Sequence, residues 1–168
     1  MIEILSAQPQ HFAEMAEIEN WEIDHGFAHF GMTHVTEGDL AMAYRPAEYP
    51  WFVAVDAEQV VGYCKAGPWK PREAYRRTCE IGIYLRASHE GKGIAKRLYG
   101  ALIPALRDLG FVAVNAGIAL PNPASVYLHE SIGMQPVGVF RKNGFKMGEW
   151  RDTEYWQMII EENCGTTT

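Results

Sequence analysis

The stretch YLRASHEGKGIAKRLYG, Tyr84–Gly100, places Gly91, Gly93 and Ala95 among Arg86, Lys92, Lys96 and Arg97, in a chain of formal net charge -6. Glycine and alanine let a backbone come close to a ligand. A helix that starts there offers free N–H groups and the positive end of its dipole, the physical requirements of an anion site. The chemistry on offer is the holding of a phosphate. The spacing fits neither the nucleotide P-loop nor the dinucleotide G-x-G-x-x-G pattern. Taken alone, the loop is equally a glycine turn with a solvated basic face. A second basic run, KPREAYRR, spans Lys70–Arg77. An arginine fork there suits a carboxylate or phosphinate-like oxygen pair, although charge runs are usually solvated and Arg76 and Arg77 are read that way. His25, His29 and His34 stand four and five apart, but they complete no metal constellation and no metal is expected. Cys64, Cys79 and Cys164 are odd in number and lack paired spacing, as expected of free thiols in a reducing compartment.

These residues need elements to position them. With 168 residues, 48% hydrophobic and 21% charged, the chain fits one domain, expected over 1–162 with a loose tail at 163–168. The negative balance argues against nucleic acid as a partner. No apolar run is long enough for a bilayer, and the opening residues lack a signal peptide's pattern, so a cytoplasmic setting is expected. IEILSA reads as a strand. A helix follows, with Phe12, Met15, Ile18 and Ile23 near helical spacing and Gly26 as its stop. TEGDLAMAYR suits a short helix, PWFVAVDAEQVVGYCKAG two strands turning at DAEQ, and RRTCEIGIYLRA a third. A long helix opens near Gly93 with Ile94, Leu98, Leu102 and Leu106 four apart. FVAVNAGIA is a buried strand, NPASVYLHESIGM a helix ending at Gly133, and TEYWQMII a last strand. That order gives an α+β fold, a mixed sheet with helices packed on it.

EGKGIA after a strand resembles the Q/R-x-x-G-x-G/A pyrophosphate loop of the GNAT acetyltransferase superfamily, and LPNPASVYLHESIGM resembles its asparagine-bearing helix. YPWFVAV, AGPWKPREAYRRTCE and NGFKMGEWRDTEYWQ extend the likeness to the phosphinothricin acetyltransferase branch, over about Ile2 to Ile160. Members of that branch also acetylate methionine sulfoximine and methionine sulfone. Two departures stand out. Glu90 occupies a place usually held by Gln or Arg. HGFAHFGMTHVT replaces a Thr/Ser-rich stretch, with Phe30 at the branch's aromatic position.

Acetyl transfer from a thioester to an amine needs a base for the ammonium proton, a fixed N–H for the carbonyl oxygen, and an acid for a thiol of ordinary pKa about 8.5. The resemblance assigns Glu80 as the base and His129 as the acid, with Tyr127 or Tyr99 as alternatives for the latter. It implies acetyl-CoA as co-substrate. The pantetheine arm would pair with the backbone of Ile83, Tyr84 and Leu85, one of which supplies the oxyanion donor. The phosphates would meet Gly91, Lys92, Gly93, Ile94, Ala95 and Lys96, and Asn122 would hold the far side of the arm. Lys70, Arg72, Tyr75, Phe30 and Glu80 resemble the substrate contacts, with Trp69 a further wall.

The resulting expectation is a homodimeric N-acetyltransferase acting directly, without a covalent enzyme intermediate, on a small anionic amino acid. Two other readings stay open at this level: a different amine acceptor, and a non-catalytic acetyl-CoA sensor.

Overall fold

The computed structural model describes residues 1–161; the expected tail, with Cys164, lies outside them. The run expected as three strands forms an antiparallel meander of β2 (Trp51–Asp56), β3 (Gln59–Pro68) and β4 (Thr78–Leu85). The β2–β3 turn puts Ala57 and Glu58 at φ 47 and 68, a geometry that costs non-glycine residues of order 1–2 kcal/mol each. β1 (Glu3–Ser6) pairs with β2 at one edge.

α1 (Phe12–His25) and α2 (Glu37–Ala43) cover one face, where Phe12, Met15 and Ile18 pack against Trp51, Val53 and Tyr63. Thr36 caps α2 in a reciprocal box with Asp39. The opposite face takes α3 (Ile94–Asp108), whose Ile94, Leu98, Leu102 and Leu106 are all buried, as their four-residue spacing requires. β5 (Ala113–Ala119) follows, then α4 (Pro123–Ser131), which stops two residues short of Gly133. There the backbone turns at φ +92 and the Met134 N–H donates to the His129 carbonyl.

One strand was not anticipated. β6 (Gln135–Lys146) pairs antiparallel with β7 (Glu149–Ile159), which itself begins four residues before the expected last strand. β6 carries Pro136, Gly138 and Gly144, is irregular between 136 and 138 and between 140 and 144, and is exposed along nearly its whole length. An edge strand with so little buried surface shows no two-residue apolar alternation to read. The sheet order is β1-β2-β3-β4-β5-β7-β6, antiparallel except between β4 and β5. This is an α+β fold, with a seven-strand, mostly antiparallel sheet and four α-helices among the described residues. No helix among the described residues is long and apolar enough to cross a membrane.

Candidate active site

The parallel β4–β5 ladder is short. It pairs Thr78 with Ala113, Cys79 with Val114 and Glu80 with Asn115, and then stops. β4 runs on along β3 to Leu85, while β5 runs on along β7 to Ala119. The two strands therefore splay, and backbone groups between Ile81 and Leu85 that do not bond β3 face the gap, where buried amides need a partner. A cleft of about 560 Å³ fills the wedge, lined by Ile83, Tyr84 and Leu85 on one side and Gly117, Ile118 and Ala119 on the other.

At one end of the cleft, Gly91 and Gly93 have φ +70 and +74, and a Cβ built on either meets no atom within 4 Å. Gly93 is the N-cap of α3, whose first turn contains no acidic residue. The N–H groups of that turn face an open cradle of the kind that suits a phosphate anion, and Ile94, Ala95 and Lys96 line it. Lys92 does not line the cleft and stands exposed, whereas Glu90, the departure noted in the sequence, lines it. Asn122 also lines the cleft and caps α4, its Oδ1 accepting the Ser125 N–H at 3.1 Å.

His129 borders the cleft from α4, buried against Tyr99 of α3. Its Nδ1 lies 2.7 Å from the Ser125 carbonyl oxygen, which fixes the proton on Nδ1. Nε2 is then the acceptor for the Tyr99 hydroxyl at 3.3 Å. Burial lowers the imidazole pKa, with the Ser125 carbonyl opposing, so His129 is neutral near pH 7. Burial pushes the Tyr99 phenol well above its ordinary value. Tyr127 also lines the cleft but is largely exposed.

Glu80 sits at the fork, the last β4 residue paired to β5, on the face opposite α3. Burial raises its carboxyl pKa, and the Lys70 ammonium partly offsets that. Tyr155, level with Gly117, has its phenol raised by burial and by the Glu80 charge. Trp69 and Phe140 meet the Tyr155 ring edge-on at 5.5 Å each. Lys70 lies with its Nζ 5.1 Å from the Trp69 ring centroid. Arg72 and Tyr75 are exposed on the same connection between β3 and β4. Phe30 comes from the loop after α1 and crowds Gly144 of β6. Glu80, Lys70 and Trp69 thus gather around Tyr155, while no hydrogen bond or ring contact among the described residues joins the exposed Arg72 and Tyr75 to that group. Arg77 donates from Nε to the Gly110 carbonyl at 2.8 Å, a structural contact.

The loop after α1 hangs from an unexpected network. Glu19, buried on α1, accepts from His29 Nε2 at 2.9 Å, Lys65 Nζ at 3.0 Å and the Tyr63 hydroxyl. Burial alone would raise its pKa, but these donors hold it down at about 2. Its position was the available signal, since Met15, Glu19 and Ile23 fall four apart along the apolar stripe. His29 and His34 bond different carboxylates, Glu19 and Asp24, and His25 stacks on Trp21.

The sequence profile of the acetyltransferase (GNAT) family matches residues 12–134. The chain belongs to the GNAT acetyltransferase family. It is 42% identical over 113 residues to a phosphinothricin N-acetyltransferase of Streptomyces viridochromogenes, a match spanning 67% of this chain and 62% of that protein. It is 30% identical over 156 residues to the L-methionine sulfoximine/L-methionine sulfone acetyltransferase of Salmonella typhimurium, covering 90% and 91% of the two chains. An acetyltransferase structure from Salmonella typhimurium with acetyl-CoA superposes at TM-score 0.92, with 29% identity over 98% of this chain and 96% of that one. A phosphinothricin acetyltransferase from Sinorhizobium meliloti in complex with acetyl-CoA superposes at 0.91, with 32% identity over 99% and 91%.

Proposed function

We propose that this protein moves acetyl from acetyl-CoA to the α-amine of a small anionic amino acid, such as phosphinothricin, methionine sulfoximine or methionine sulfone. The observation that carries the reading is the placement of Glu80 at the fork where β4 and β5 part, one step from the cleft. Bound acetyl-CoA supplies an activated acetyl group. Gly91, Gly93 and the first-turn amides at Ile94–Lys96 hold its pyrophosphate, the cleft edge at Ile83–Leu85 pairs with the pantetheine amides, and Asn122 closes the far side.

Glu80, its basicity raised by burial, takes the ammonium proton directly or across one water. A backbone N–H on the β4 edge faces the carbonyl oxygen as charge builds there. The thiol side receives its proton from the Tyr99–His129 pair. Tyr99 carries the movable O–H, because the single imidazole proton is committed to Ser125. Lys70 and Arg72 hold the acceptor's carboxylate at the mouth, with Phe30 and Tyr75 as walls. Transfer is direct: Cys79 is buried, with a thiol pushed up to about 12, and burial raises Cys64 as well, so neither is a nucleophile near neutrality.

An acceptor panel tests this reading. Thiol release is expected with methionine sulfone, methionine sulfoximine or phosphinothricin and at least tenfold less with spermidine, which Lys70 and Arg72 repel. Spermidine as the better acceptor would remove the anionic-substrate reading.

The proposed working form is a cytoplasmic homodimer. β6 and the start of β7 expose Val137, Phe140, Phe145 and Trp150, a patch of the kind that marks an interface. Sedimentation is expected to give twice the 18.9 kDa chain mass, and a concentration-independent monomer would contradict it.

A further inference from the structure

Among the described residues, two buried side-chain polar atoms lack a hydrogen-bond partner: Arg151 Nε and Thr153 Oγ1. Such orphans are costly, and a fold that keeps two of them side by side calls for an explanation. Their residues stand two apart on β7, so both occupy one face of the sheet. That is the face of Glu80. Glu80 is level with Asn115 and Asn115 with Gln157, and Tyr155, Thr153 and Arg151 continue the row in two-residue steps. Gln157 stands two strands over from Glu80, about 10 Å, and Thr153 four residues farther along β7, about 13 Å, so Thr153 lies about 16 Å from Glu80 across the sheet face. A carboxylate, a bridging water and an amino acid with a three- or four-atom side chain span that distance.

The place is enclosed. Thr153 is 5% exposed. The Phe27 ring centroid lies 4.0 Å from Arg151 Cζ, and Phe30 crowds Gly144, the cross-strand partner of Arg151. Lys146 fastens this roof, its Nζ donating to the His29 and Gly31 carbonyls at 2.7 and 2.8 Å. Glu149 Oε2 sits 3.0 Å from Arg151 Nη2 and balances the guanidinium charge. The slot therefore presents an N–H and an O–H with little net charge, a match for uncharged acceptor oxygens rather than a second anion.

We infer that Arg151 and Thr153 form a specificity slot for the neutral, hydrogen-bond-accepting end of the acceptor's side chain, of sulfone or sulfoximine type. The α-carboxylate stays with Lys70 and Arg72. The inference rests on the amino-acid acetyltransferase reading above and narrows its acceptor to the neutral sulfone and sulfoximine side chains, placing phosphinothricin, whose phosphinate is anionic, behind them.

Thr153→Val tests it by removing the hydroxyl at nearly constant shape. The quantity to measure is the kcat/KM ratio of methionine sulfone to methionine, which lacks the two oxygens. The variant's ratio is expected to fall about tenfold, carried mainly by KM, with Tm equal to or above wild type because the lost hydroxyl had no partner. Wild-type enzyme is expected to prefer methionine sulfone to glutamate, whose side chain brings a second charge. An unchanged ratio, a lowered Tm with an unchanged ratio, or a wild-type preference for glutamate overturns the slot while leaving the transferase reading intact. Wild-type protein that acetylates no amino acid overturns both.

Discussion

Glu80→Gln is expected to lower kcat by about 10²–10⁴ near neutral pH, the span of a general base's contribution, while coenzyme A affinity changes less than threefold. The split follows from position: Glu80 stands at the fork, whereas the groups proposed to hold the cofactor line the wedge beyond it. The substitution also carries a stability signature. Burial raises the Glu80 pKa above its unfolded value, against the pull of Lys70. A group raised in this way contributes stability that is complete below the unfolded pKa, about 4.3, and is lost as pH rises through the folded one. The neutral glutamine avoids that loss, so the variant gains on wild type from about pH 4 upward and is at least as stable at pH 7. Turnover against Tm across this range reads both effects. Unchanged turnover would remove Glu80 from the proton path.

Glu19→Ala is expected to cost about 3 kcal/mol, the lower end of the range for breaking a buried ion pair, or roughly 10 °C in Tm at this chain length. The substitution strands the Lys65 ammonium and the Tyr63 hydroxyl and frees His29, and with it the loop that roofs the acceptor end. The sign with pH is opposite to that of Glu80. A pKa held down at about 2 gives stability that is present above the unfolded value and lost as pH falls toward the folded one. Wild type therefore loses its advantage over the variant in acid, between about pH 4.3 and pH 2. Urea denaturation at pH 7 and pH 3 measures it. A difference below about 0.5 kcal/mol at pH 7, the size of an ordinary surface change, would show that the network holds nothing.

Much of the scaffold was legible because burial leaves periodic marks. Ile94, Leu98, Leu102 and Leu106 declared α3, two apolar runs parted by the polar DAEQ turn declared the β2–β3 hairpin, and Gly91 and Gly93 marked a turn that side chains disfavour. β6 was illegible for the converse reason, since an exposed edge with irregular register selects no pattern. At the site, residue types pointed to a phosphate cradle, but roles depended on what surrounds each group. His129 is identifiable as a histidine on a helix, yet its neutral state and its bond to Tyr99 follow from burial and from the Ser125 carbonyl about one turn earlier in α4 rather than from its letter. Glu19 hid in a helical stripe. Tyr155, Thr153 and Arg151 carry no motif; only the pairing of β7 with β5 sets them on the face of Glu80.

The central claim is that the amides opening α3 clasp a pyrophosphate and thereby lay a thioester beside Glu80. Calorimetric titration with coenzyme A tests it most directly, run on wild type and on Gly93→Ala, where a Cβ enters the cradle at φ +74. One site per chain is expected, with affinity weakened at least tenfold in the variant and much weaker binding of pantetheine, which lacks the pyrophosphate. No heat from coenzyme A, or equal affinity for pantetheine, would contradict the account.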